Sequence, residues 1–468
     1  MLPILLCAIL SPVIHAHTHR EQQPLQPDLN RLVDVVDVST EPWTSKYGAQ
    51  IDLGYTGPLS FSHLPYTRCL DDGAALFDIG ILGMPFDTAT SYRPGARFGP
   101  FAIRSGSRRQ SARGYTLTWG TSPYDLGAAF LDCGDIPLSA TDNAKAIDQM
   151  EAAYSTLLAR PVRGGVTSAY KSRTAAFAKD GKEHPRLITL GGDHTIVLPI
   201  LRSLNKVYGP VSVIHFDAHL DTWAPPAGAQ GQERITHGSF FSIAADEHLM
   251  TNTSIHAGIR CKMTGPQDIA HDDTVGFQVI STDDIDDYGI ARVIEKIRQR
   301  IGDSPVYLSL DIDVVDPGLA PATGTPEAGG WTTREVKRIL RGLAGLNFVG
   351  ADIVEVAPAY DNADITGIAA ADIVHDFMAM LQLDEPPLPH VTLGPDTGDS
   401  PRILFSVRCK LRYANGRTDV GKSIRRPLSS LHENLAECND SGMIAYRKSQ
   451  RCCVELKISE TGERGRLV

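Results

Sequence analysis

The chain has 468 residues, 42% of them apolar and 21% charged, and a net charge of −10. That composition supports a sizeable buried core and carries no basic footprint for nucleic acid. No apolar run reaches the ~20 residues that span a bilayer, so neither a nucleic-acid nor a membrane partner is expected.

The opening "MLPILLCAILSPVIHA" is a short apolar run ending at a small residue, Ala16, before polar "HTHREQQ". Although its first residues lack Lys and Arg, it resembles a secretory signal peptide over residues 1–16, and export is expected. The sequons at Asn252 and Asn439 are compatible with that. Cys7 would leave with the leader. Of the seven remaining cysteines, Cys69, Cys133 and Cys261 read as single buried thiols, while disulfides are possible in the tail.

Residues 17–73, rich in Pro, Asp and turn formers, read as an extension over the domain surface. From residue 74 a regular alternation begins. Apolar runs bounded by Gly, Asp or Pro recur: "ALFDIGILGMPFD", "FLDCGDI", "RLITLGGDH", "VSVIHFDAH", "SIHAGIR", "GFQVIS", "VYLSLDIDVVDP" and "NFVGADIVEVAP". Helical patterns fall between many of them, at 142–159, 195–207, 288–301, 332–344 and 364–382. Near-continuous apolar strands alternating with helices predict an α/β domain over 74–383, its parallel sheet covered on both faces. Sites in such sheets form at the carboxyl ends of the strands. After "LDEPPLPH" the pattern breaks. Residues 384–468 read as a linker and basic tail with little helix or strand period, and 391–468 carry 14 Lys+Arg against 9 Asp+Glu.

Three strand ends deliver ligand-type side chains. "LITLGGDHT" presents His194 after Gly191 and Gly192. "HFDAHLD" presents Asp217, His219 and Asp221, and "LSLDIDVVDP" presents Asp311 and Asp313. Residues two apart on an extended chain share a face. Four neighbouring aspartates cannot all ionise without cations. An oxygen and nitrogen donor set without thiolate suits Mn²⁺, and less specifically Ni²⁺, Co²⁺ or Zn²⁺. Six ligands are too many for one ion that keeps an open position, but enough for two ions sharing carboxylates.

GGDH, D-A-H-x-D and S-x-D-x-D-x-x-D-P, in this order, resemble the signatures of the ureohydrolase family, which includes arginase and agmatinase. The resemblance spans about residues 74–383. It implies a three-layer α/β/α sandwich with a mainly parallel sheet, and two Mn²⁺ per chain hydrolysing a guanidino group to urea and an amine. One ion would take His194, Asp217, Asp221 and Asp311; the other would take Asp217, His219, Asp311 and Asp313. Glu355 in "ADIVEVAP" aligns with the family glutamate that pairs with the guanidinium. His237 in "ITHGSFF" matches the loop histidine that moves protons, a task suited to an imidazole. The family also implies a homo-oligomer.

The loop "TWAPPAGAQGQERITHG" lacks the polar series with which arginase reads arginine, and "GMPFDTATSYRPGARFGPFAIR" resembles the agmatinase branch. Agmatine is therefore the expected small-molecule substrate, and a guanidino acid such as 4-guanidinobutyrate the alternative. Glu233 would suit the first and Arg234 the second. Two further readings are a one-zinc amide hydrolase of the same architecture, which needs fewer aspartates, and a non-catalytic secreted protein of this fold, which would be expected to lose a ligand.

Overall fold

A computed structural model describes residues 50–388, except 111–113, 168, 169 and 171, together with five strands between Phe405 and Ile458. The leader-like segment and the extension up to residue 49 lie outside the described residues, as do Cys438 and the sequon at Asn439.

Eight strands form one sheet: β1 (Ile79–Gly83), β2 (Phe130–Asp135), β3 (Arg186–Leu190), β4 (Ser212–Phe216), β5 (Ser254–Ile259), β6 (Phe277–Ser281), β7 (Val306–Asp311) and β8 (Phe348–Val354). Their order is β2-β1-β3-β8-β7-β4-β5-β6, and every pairing is parallel. The eight apolar runs of the sequence are these eight strands.

Alternate residues of each strand feed two separate cores, one on each face. Ile188, Leu190, Ile214, Phe216, Leu308 and Leu310 pack on one side, and Leu187, Val213, Tyr307 and Val349 on the other. On the first side lie α1 (Gly99–Gly106), α7 (Ile290–Ile301), α8 (Thr333–Leu343) and α9 (Ile365–Met380). On the second lie α2 (Asn143–Leu158), α3 (Val197–Tyr208), α4 (Phe240–Asp246) and α5 (Pro266–Val275); α6 is a single short turn, Asp284–Tyr288. The architecture is a three-layer α/β/α sandwich.

The long helices carry strong local signals. In α7, Val293, Ile297 and Ile301 are buried at a spacing of four, the core stripe of an amphipathic helix. Thr332 and Glu335 close a reciprocal capping box at the start of α8. The sequence pattern misses α1, α4, α5 and α6, each of ten residues or fewer, which is too short for a 3.6-residue period to stand out.

Two expectations change. Cys69 and Cys133 are not single thiols: they form a disulfide, Cα–Cα 4.9 Å, tying the segment before β1 to β2. Among the described residues Cys261 is the free thiol. Such a pairing could not be read from spacing, because the two residues are 64 apart in sequence. The C-terminal stretch also contains strands. There β9 (Phe405–Arg412), β10 (Thr418–Val420), β11 (Ile424–Arg426), β12 (Ile444–Tyr446) and β13 (Gln450–Ile458) form an antiparallel sheet in the order β10-β9-β13-β12, with β11 on β9. "FSVRCKLR" does alternate apolar and polar residues, the period of a half-covered strand.

The disulfide closes a loop of 64 residues, which chain-entropy arguments value at about 4 kcal/mol against the unfolded state. Replacing both Cys69 and Cys133 by Ser is expected to lower unfolding free energy by ~2–4 kcal/mol in denaturant titrations. Metal uptake should be unchanged, because none of the six candidate ligands lies within that loop.

Candidate metal centre and cavity

The ligand-type residues sit at the carboxyl ends of four adjacent strands, β3, β8, β7 and β4. His194 follows β3 through Gly191 and Gly192. A Cβ at Gly192 would lie 1.8 Å from the Phe86 carbonyl oxygen, so only glycine fits that turn. Asp217 follows β4 directly, Asp311 ends β7, Asp313 lies in the turn after it, and Glu355 follows β8. Asp221 and Glu355 hold left-handed backbone, φ 55° and 61°, a strain that non-glycine residues keep only where the surroundings impose it.

The six predicted ligands converge. His194 Nδ1 lies 3.1 Å from Asp217 Oδ2, 3.0 Å from Asp221 Oδ2 and 3.4 Å from Asp311 Oδ2. His219 Nδ1 lies 3.0 Å from Asp313 Oδ2 and 3.3 Å from Asp217 Oδ1. Asp217 thus offers one oxygen to each half of the cluster. His194, His215, Asp217 and Asp221 can converge on one ion, and Asp217, His219 and Asp313 on another.

His194 Nδ1 and Asp217 Oδ2 are buried without a hydrogen-bond partner among the described residues. Polar atoms are seldom left so, and a cation between them satisfies both. The donor set therefore fits a pair of divalent ions.

Electrostatics support this. Burial, then the charges of Asp313 and Asp217, push the Asp311 carboxyl well above the usual range. Burial and Asp217 raise Asp313 to about 6, and also raise Asp221. Asp217 goes the other way. Burial opposes its charge, but His215 and the hydrogen bonds of His194, His215 and His219 hold it well below the carboxylate range. Without cations, protons fill the cluster, and metal must displace them.

A second layer fixes the first. His194 Nε2 is 2.8 Å from Ser309 Oγ, whose hydroxyl donates to Asp352 Oδ1 at 2.9 Å. With Nε2 engaged, Nδ1 faces the ligand point. Sequence reasoning missed Ser309 and Asp352, although each stands an even number of residues from Asp311 or from the end of its own strand.

His237, in the loop before α4, places Nδ1 3.1 Å from Glu355 Oε1. Its Nε2 accepts the Ser91 N–H at 3.0 Å, and Ser91 Oγ lies 2.7 Å away. Burial opposes charge on this ring, but the hydrogen bond and charge of Glu355 outweigh it and raise His237 to about 9. The Ser91 N–H favours the neutral ring and Glu355 the charged one, which suits a group that takes up and releases a proton. Glu355 Oε1 also accepts the His194 N–H at 2.9 Å, while its Oε2 is buried without a partner among the described residues.

A cavity of about 340 Å³ opens above the cluster. Asp221, His219, Asp311 and His237 border it, and Ser91, Trp223, Ala224, Pro226, Thr236, Ser239 and Thr325 complete much of the wall. Glu233 and Arg234 do not line it: Glu233 is exposed and Arg234 faces Asp246 at 3.4 Å. The expectation that either reads the far end of a substrate is corrected. Their short 3-10 turn, Gly231–Arg234, carries them to the outside of the loop.

Because burial and the charges of Asp313 and Asp217 disfavour an ionised Asp311 in the metal-free protein, Asn is a mild replacement there. It keeps an oxygen for the Asp313 N–H, 2.8 Å away. Asp311→Asn is expected to unfold within ~1 kcal/mol of wild type in the presence of chelator, while metal analysis shows lost occupancy.

Comparison with known proteins agrees with this geometry. The arginase family model matches residues 77–380. A Schizosaccharomyces pombe protein named as an agmatinase is 52% identical over 71% of this chain and 84% of its own. The agmatinase of Chromobacterium violaceum is 36% identical over 72% and 92%. The solved proclavaminate amidino hydrolase of Streptomyces clavuligerus is 34% identical, with TM-score 0.60 over 70% of this chain and 99% of its own. The chain belongs to the arginase family and is an amidine hydrolase of its agmatinase branch.

Proposed function

We propose that the chain hydrolyses agmatine to putrescine and urea, using two Mn²⁺ ions. One would be held by His194, Asp217, Asp221 and Asp311, and the other by Asp217, His219, Asp311 and Asp313. When bound, such a pair supplies the Lewis acidity that activates water at neutral pH and polarises the guanidino carbon. The ligand set is oxygen-rich and lacks thiolate, in keeping with Mn²⁺.

The chain's own residues do the rest. A guanidinium stays protonated at physiological pH and is a poor electrophile, so it must be held as a cation. Glu355 has a buried, unpartnered oxygen for that purpose and orients His237 with the other. His237 stands at the cavity wall, able to give a proton to the leaving amine.

The observation that carries the substrate choice is the wall of the cavity. Among the described residues lining it there is no Lys or Arg, and the indole of Trp223 is part of it. A guanidino acid would bring a carboxylate with no cation to meet it. An ammonium finds the aromatic face of Trp223 and meets no Lys or Arg among the described lining residues.

The test is a Mn²⁺-loaded preparation assayed for urea with agmatine, 4-guanidinobutyrate and arginine. Two ions per chain and at least ~10-fold preference for agmatine, about 1.4 kcal/mol in transition-state binding, are expected. One ion with full activity defeats the two-metal reading, and faster turnover of 4-guanidinobutyrate defeats the substrate choice.

Glu355→Gln is expected to lower kcat/KM by roughly 30- to 1,000-fold without unfolding the protein, through loss of a charge-assisted contact. Since Glu355 raises the His237 pKa, its removal should also move the alkaline limb of the pH–rate profile to lower pH. An unmoved limb would show that Glu355 does not act through His237.

A further inference from the structure

A histidine that protonates a leaving amine needs a ring nitrogen turned toward it, yet both nitrogens of His237 are occupied. Nδ1 lies 3.1 Å from Glu355 Oε1, and that carboxylate is 1% exposed, so this side of the ring faces protein. Nε2 faces Ser91, whose Oγ is 2.7 Å away and whose N–H is 3.0 Å away. The His237 side chain is itself only 12% exposed, whereas Ser91 is exposed and borders the cavity.

Other hydroxyls among the described lining residues are engaged elsewhere. Thr236 Oγ1 lies 2.8 Å from Ser239 Oγ, which donates to the Arg234 carbonyl oxygen at 2.7 Å, and Thr325 Oγ1 donates to Asp313 Oδ2 at 3.4 Å. The loop that carries Ser91 is held on both sides of it. Ala89 N–H donates to Asp193 Oδ2 at 3.0 Å, and Gly95 N–H to Asp87 Oδ2 at 2.8 Å. The Ala89 carbonyl oxygen also accepts the His237 N–H at 3.4 Å, so backbone as well as side chain fastens the serine to the imidazole.

A serine hydroxyl can donate and accept at once. Beside a neutral His237, Ser91 gives its hydrogen to Nε2. Beside the charged ring it accepts the Nε2 hydrogen and is free to pass its own onward.

We propose that Ser91 is a catalytic residue that relays the proton from His237 Nε2 to the leaving amine. The inference rests on the function proposed above. As the C–N bond breaks, its electron pair stays on the amine nitrogen. That nitrogen takes the Ser91 hydroxyl hydrogen while Oγ takes the hydrogen of His237 Nε2. One O–H and one N–H bond break, and one of each forms. The serine ends as a hydroxyl and the ring as neutral imidazole. Because Ser91 is exposed, water then returns a proton to the ring along the same path.

Ser91→Ala removes the hydroxyl but keeps the backbone N–H, and Ser91→Thr restores a hydroxyl. Urea release from agmatine is measured in single turnovers of the full, Mn²⁺-loaded chain. The Ala variant is expected to be roughly 10- to 100-fold slower, the lower part of what a positioned proton donor contributes. The Thr variant should recover most of that loss. Half-saturating agmatine and manganese content should not change. In H₂O–D₂O mixtures the wild-type rate should follow a bowed curve, since two hydrogens move together. A crystal structure of the Ala variant should still show His237 against Glu355.

An Ala variant as fast as wild type overturns the relay, as does an equal loss in both variants or a straight or flat wild-type isotope curve. A ring that leaves Glu355 in the Ala variant also overturns it, because Ser91 would then only position His237. The isotope curve needs wild type alone, so it decides even if a variant does not fold. Wild-type protein that releases no urea from agmatine defeats the functional reading and this inference together. Wild-type activity matched by the Ala variant defeats this inference alone.

Discussion

Four carboxylates buried side by side are the constraint around which the rest of this structure is arranged. Asp217, Asp221, Asp311 and Asp313 are all buried at the ends of two strands, β4 and β7, that pair with each other. Left to themselves they repel, and burial makes each charge costlier still. The chain offers two imidazoles as partial compensation and leaves the remainder to cations or protons. Such a cluster persists only on a rigid base, which a sheet with a full core on each face provides. The left-handed backbone at Asp221 and Glu355 is tolerated for the same reason.

Much of this was legible in the sequence, and for a definable reason. A buried parallel strand is a continuous apolar run, and a site at its carboxyl end is polar residues two apart just beyond the run. All eight strands and the convergence of His194, Asp217, His219, Asp221, Asp311 and Asp313 follow from those local features. What stayed hidden depends on partners distant in sequence. Ser309 looks like an ordinary strand serine until His194 and Asp352 are seen on either side of it. His215 and His256 become neighbours only through the β4–β5 register. The disulfide and the misjudged Glu233 and Arg234 fail in the same way, since loop direction and thiol pairing are set by tertiary packing.

The site divides into a floor and a wall with different origins. The floor comes from strand ends, where the paired strands β3, β8, β7 and β4 fix the points from which the ligand-bearing turns begin. Even Glu355, beyond β8, is tied to β3 through its N–H to the Gly192 carbonyl oxygen at 2.8 Å. The wall comes mainly from loops: Trp223, Ala224 and Pro226 after the metal motif, Thr236 to Ser239 before α4, and Ser91 from the first β–α connection. Loops accept substitution that strand ends do not. Within one architecture, then, the ligand-type residues come from the sheet and most of the cavity wall from the loops.

That division leaves the loop-derived wall without Asp, Glu, Lys or Arg among the described residues that line the cavity. A carboxylate on the wall would add a further acid to Asp217, Asp221, Asp311, Asp313 and the adjoining Glu355, whose charge already disfavours ionisation of Asp311. An arginine on the wall would compete with the cations for the same aspartates. An aromatic and hydroxyl wall avoids both conflicts. Trp223 can attract a cation through its ring face while adding no net charge to the floor, about a ring's width from His219 at 6.5 Å between centroids. The far end of a substrate bound over the strand ends would thus meet a neutral, partly aromatic wall, while the charged groups stay on the floor.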